Sequence, residues 1–165
     1  MSRIITYKPI GEILQEADLI TAPQLEVALR DRVYNRDLRL GEILALRGWI
    51  KQDTADFFAE EWFKLIDRRT EHPIGFYLKQ AGLLEEKDIQ EILTQQSKHS
   101  LRFGDTAVKQ GLIKPNTVNF FLQNLFPSQL YNARQAASDI QQQKDAITKE
   151  DITYWVKSSL TQVVR

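Results

Sequence analysis

Apolar residues along this chain recur at helical rather than strand spacing. Ile10, Ile13, Leu14 and Ala17 stand at i, i+3, i+4 and i+7, one face of a short helix. Ala55, Phe58, Ala59, Trp62, Leu65 and Ile66 trace a longer stripe, and Val118, Phe121, Leu122 and Leu125 trace another. Ile89, Ile92, Leu93 and Gln96 keep the same period. The only run with strand-like character is the short Ile4-Ile5-Thr6-Tyr7. The pattern predicts an all-α fold.

The stripes belong to a repeat. An apolar residue followed by glycine occurs at Ile10-Gly11, Leu40-Gly41, Ile74-Gly75 and Phe103-Gly104. Seven residues after each glycine stand Asp18, Gly48, Gly82 and Gly111, each followed by two apolar residues. A period near 30 residues means that one supersecondary unit was copied. Copies one and three share Pro9/Pro73, Leu14/Leu78, Ala17/Ala81 and Leu19/Leu83. Copies two and four share Leu38/Leu101, Arg39/Arg102, Thr54/Thr117, Phe57/Phe120 and Phe58/Phe121. The chain is therefore a doubled pair whose halves are offset by 63 to 64 residues.

Each copy reads as a helical hairpin, a short arm and then a longer one. The second glycine falls where a helix C-terminus needs a left-handed residue, and Asp18 takes that place in copy one. Thr21 with Gln24 forms a capping box in front of Leu25 and Leu29, and Pro115 opens the last long arm. The expected organisation is a first pair of hairpins over 1–69, a second over 70–126 and a C-terminal helical tail over 127–165. In the tail, Gln129 to Asp145 reads as a polar helix, and Thr148 caps a last helix carrying Ile152, Trp155, Val156 and Leu160.

Composition narrows the function. The 165 residues hold no cysteine, which removes disulfides, thiolate metal sites and cysteine nucleophiles. Cations and carboxylates balance at 22 each, so nothing drives nucleic-acid binding by counterion release, and none is expected. No apolar run is long enough for membrane insertion and no secretory signal is visible, which makes the cytoplasm the expected location. His72 and His99 are the only histidines, in no metal-ligand spacing. Without a nucleophile elbow or a phosphate-binding loop, no catalytic site can be assembled, and neither enzyme activity, metal nor cofactor is expected.

Two duplicated pairs stand out. Arg39 and Arg102 each precede a glycine by two residues; they fork onto a phosphate or planar base, or they form structural ion pairs, the commoner fate of such arginines. Phe57 and Phe120 sit one position off their helix stripes, which suggests an interface between the halves. Trp49 holds an ordinary packing position.

Residues 8 to 126, with Arg39-Leu40-Gly41, Pro9-Ile10-Gly11 and the apolar pairs after each turn, resemble the helical N-terminal domain of type II secretion and type IV pilus assembly ATPases, without the motor. The resemblance implies an adaptor that docks onto a protein of a pilus, secretion or motility system. In one branch it implies a cyclic di-GMP receptor, bound through a tandem motif of Arg-Leu-Gly, Leu, Gly, Leu, Leu and Gln. Carried over, the motif marks Arg39, Leu40, Gly41 and Leu44 in copy two, Arg102, Phe103 and Gly104 in copy four, and Gln96 in copy three. No copy holds the whole motif, so such a site would be composite.

Overall fold

The structure is a computed structural model that describes residues 8–68 and 70–129. The elements run α1 (Ile10–Glu16), α2 (Ala22–Tyr34), α3 (Leu40–Leu46), α4 (Gln52–Asp56), a π turn (Phe57–Glu61), α5 (Trp62–Ile66), α6 (Ile74–Gln80), α7 (Glu86–His99), α8 (Phe103–Lys109) and α9 (Pro115–Leu125). The fold is all-α, with no strand among the described residues. The short alternation at Ile4 to Tyr7 and the tail helices expected from Gln129 onward lie outside them, apart from the first residue of that stretch. The described residues up to Phe126 belong to one compact unit. No helix among the described residues is long and apolar enough to cross a membrane.

All four short arms end in the same way. Asp18, Gly48, Gly82 and Gly111 hold φ of 57°, 71°, 67° and 72°. The following amide closes back on a carbonyl five residues earlier: Leu19 on Leu14, Trp49 on Leu44, Leu83 on Leu78 and Leu112 on Ala107, all within 3.1 Å. This Schellman geometry satisfies carbonyls that a helix end leaves open, and it turns the chain into the next arm. The four accepting residues are fully buried, so each turn is pinned to the core at its last helical contact.

The first glycine of each copy has a different task. A Cβ on Gly11, Gly41 or Gly104 would lie 2.6, 2.8 or 2.6 Å from Leu25, Ala55 or Val118, each fourteen residues further on. Its missing side chain lets the two arms of one hairpin cross in contact. Gly75 meets the Phe103 ring instead, at 2.8 Å, so there the short arms of copies three and four touch.

The halves join through their copied residues. Thr54 donates to the Ala81 carbonyl and Thr117 to the Ala17 carbonyl, both at 2.7 Å and both buried. Copy two therefore seats on copy three, and copy four on copy one, as an approximate two-fold relation requires. Phe57 faces Phe121 and Phe58 faces Phe120, each with ring centroids 6.3 Å apart. Trp62 stacks on Phe120 at 4.9 Å. Five aromatic rings from α9 and from the α4–π turn–α5 helix thus make one core shared by both halves.

One prediction needs correcting. The stripe through Ala59 assumes an unbroken α-helix, whereas Phe57–Glu61 is a π turn and Ala59 is exposed. The wider turn brings Phe57 and Trp62, five residues apart, onto the same buried side. Leu29 and Leu93, placed in stripes by period, are likewise exposed, because α2 and α7 are outer helices.

Candidate functional site

Arg39 is the N-cap residue of α3, and its backbone amide donates to Glu42 Oε2 at 2.6 Å. Its exposed guanidinium lies 3.7 Å from Glu60. With Arg32 it lines a shallow groove of about 240 Å³ beside Leu40, Gly41 and Ala55. Glu42 and Asp56 line the same groove, so two carboxylates share it with the two guanidiniums. Leu40 and Leu44 face the core, and Gly41 is closed by Ala55; they build the hairpin crossing beneath the arginine.

Arg102 occupies the equivalent N-cap of α8, exposed, with its carbonyl accepting from the Thr106 hydroxyl at 3.0 Å. Phe103 packs on Gly75, and Gly104 is closed by Val118. Gln96 is half-buried on α7, and its carbonyl accepts from the Ser100 amide that ends that helix. Arg39 and Arg102 each stand at the start of their own short helix. Phe57 and Phe120 are buried at the junction of the halves, among the five core rings.

Residue periodicity missed a second pair of grooves, although the 63-residue offset was enough to find it. One, between α1 and α9, is lined by Asn116, Asn119, Phe120 and Gln123 with Glu16. Its mate, on α4 and the π turn, is lined by Asp53, Asp56, Phe57 and Glu60 with Gln80. Phe57 and Phe120 are alike, while each of the four polar pairs keeps its shape and exchanges an amide for a carboxylate, or the reverse. Asp18 adds a clamp on the first groove, accepting from Lys114 through its carbonyl at 2.9 Å and from Asn116 at 3.3 Å.

The perturbed titrations are all surface ion pairs. A hydrogen bond from Arg47 holds the Asp31 carboxyl below its ordinary range and raises the Arg47 guanidinium in return. Lys87, helped by Lys51, lowers Glu85; Lys79, with Gln90, lowers Glu86. Arg47 also lies over the Trp49 ring, 5.1 Å from its centroid, so one cation ties α2, α3 and the turn after it. No cluster among the described residues has the donors for a metal ion.

A curated protein of Picosynechococcus sp., described only as uncharacterized, is 44% identical over 119 residues, which take in 70% of this chain and 63% of that protein. The chain thus spans less than two thirds of that relative's length. No family model matches the chain, and no solved structure matches it.

Proposed function

We propose that this protein is a non-catalytic regulatory or adaptor module of the cytoplasm that docks onto a protein partner, of a pilus, secretion or motility system as its resemblance implies. The observation that carries the reading is how the interior is used. Among the described residues, the buried threonines Thr54, Thr106 and Thr117 each donate to a backbone carbonyl and so serve the fold. Perturbed carboxylates and cations stand outside, in ion pairs of the surface. Such a body offers faces rather than a reaction cleft. Chemical cross-linking at native concentration, read by mass spectrometry, is expected to return a stoichiometric complex with another protein. Recovery of the free chain alone would contradict the reading.

A cyclic di-GMP receptor is the second reading, and the groove shared by Arg32 and Arg39 favours it. Isothermal titration separates the two. Heat at micromolar ligand, weakened about 10-fold or more by Arg39→Ala, favours the receptor; no heat removes it.

A further inference from the structure

The bonds that join the halves do not by themselves say which half belongs on which. Thr54 donates to the Ala81 carbonyl and Thr117 to the Ala17 carbonyl, and each pair consists of copies of one residue. Phe57 and Phe58 repeat as Phe120 and Phe121. The same bonds and rings would join two first halves, or two second halves, of different chains. Lys51 and its copy Lys114 do not discriminate either. They reach Glu85 and Asp18 across the junction, at 3.8 and 3.5 Å, and would meet one of these carboxylates in any pairing.

The two grooves beside the junction differ in a way that does discriminate. On the first, Glu16 and Asp18 of the first half stand opposite Asn116, Asn119 and Gln123 of the second. On its mate, Asp53, Asp56 and Glu60 of the first half stand opposite Gln80 of the second. Among these facing residues the carboxylates come from the first half and the amides from the second. Asn116 shows the contact, donating to Asp18 Oδ2 at 3.3 Å. Two first halves would set Glu16 and Asp18 against Asp53, Asp56 and Glu60 in both grooves. Asp53 would then take the place of Asn116, and two carboxylates would oppose each other where a hydrogen bond now closes. Lys8 beside Glu16 and Arg39 beside Glu60 offset part of that charge, but leave Asp53 and Asp56 against Asp18. Two second halves would set amide against amide, with no charge on either side.

From this distribution we infer that the carboxylate–amide exchange is a pairing code: it keeps the first halves of two chains from joining, so that a first half is completed only by a second half. The residues that carry it are Glu16, Asp18, Asp53, Asp56 and Glu60, read against the amides opposite. The code concerns how the body assembles, and it holds whether or not that body is an adaptor. All five carboxylates are at least partly exposed, so its strength falls with salt.

The test recreates each groove of a first-half pair inside the full chain. Asn116→Asp, Asn119→Asp and Gln123→Glu together give α9 the carboxylates of the first half. At low salt the melting midpoint is expected to fall by about 3 °C or more, although acidic residues near the start of α9 favour that helix by itself. In a background of Glu16→Gln and Asp18→Asn the same three changes should cost nothing. The other groove is read with Gln80→Glu, which should lower the midpoint of the parent but not that of the Asp53→Asn, Asp56→Asn, Glu60→Gln variant. Each difference between backgrounds should shrink in 1 M sodium chloride, at a Debye length of about 3 Å. A purely structural role for the amides gives equal losses in both backgrounds. Equal losses in either groove, or differences that salt leaves unchanged, overturn the inference.

Discussion

Gly48 and Gly41 sit seven residues apart in one hairpin and resist substitution for different reasons. At Gly48, with φ of 71°, a Cβ meets nothing within 4 Å, so Gly48→Ala costs backbone strain alone, about 1–2 kcal/mol. At Gly41 the Cβ would sit 2.8 Å from that of Ala55, and neither can rotate away. Gly41→Ala forces α3 and α4 apart and is expected to cost more, about 2–4 kcal/mol. Denaturant titration of both variants checks the order; a larger loss at Gly48 would refute this division of labour. Asp31 sets an acid limit. Its carboxyl titrates lower folded than unfolded, so its contribution is whole above the ordinary carboxylate range and is lost as pH falls through the folded value. The Asp31→Asn melting temperature should therefore fall less than that of the parent between about pH 5 and pH 2. An identical acid limb would show that the pair adds nothing.

Among the elements, the π turn separates what the sequence discloses from what it hides. Helix starts and stops were legible, because the Thr21 capping box, Pro115 and the left-handed turns each announce themselves in local chemistry. The interruption at Phe57–Glu61 was not, since no residue there breaks a helix; it arises from packing five rings into one core. A π turn amounts to one extra residue that the flanking helix absorbs without turning. Deleting exposed Ala59 should let α4 and α5 join as plain α-helix, with stability held within about 1 kcal/mol. Deleting exposed Asn119 from the unbroken α9 turns Phe120 and Phe121 about 100° away from the face set by Thr117 and Val118, and should unfold the chain. Circular dichroism melts of the two deletions decide it, and equal damage would contradict the account. Site residues divide in the same way. As candidates, Arg39 and Arg102 could be singled out because the duplication kept them, whereas the exposure of Val33, Tyr34 and Leu46 could not be read, because it depends on which arms end up outside.

At the scale of the molecule, the copied threonines and phenylalanines make the two hairpin pairs of the described residues one cooperative body rather than two side by side. That leaves the outer faces of α2 and α3 free to diverge, since the copied interior already carries the stability. Native-state hydrogen exchange tests this most directly, comparing the parent with Phe120→Ala. Phe120 lies in the second half, yet its ring faces Phe58 and stacks on Trp62 of the first. The substitution is expected to lower the protection of the Phe58 and Phe121 amides by the same amount, about 3–5 kcal/mol if opening is global. Unchanged protection at Phe58, with loss confined to α9, would mean that the halves open separately and would contradict a shared core.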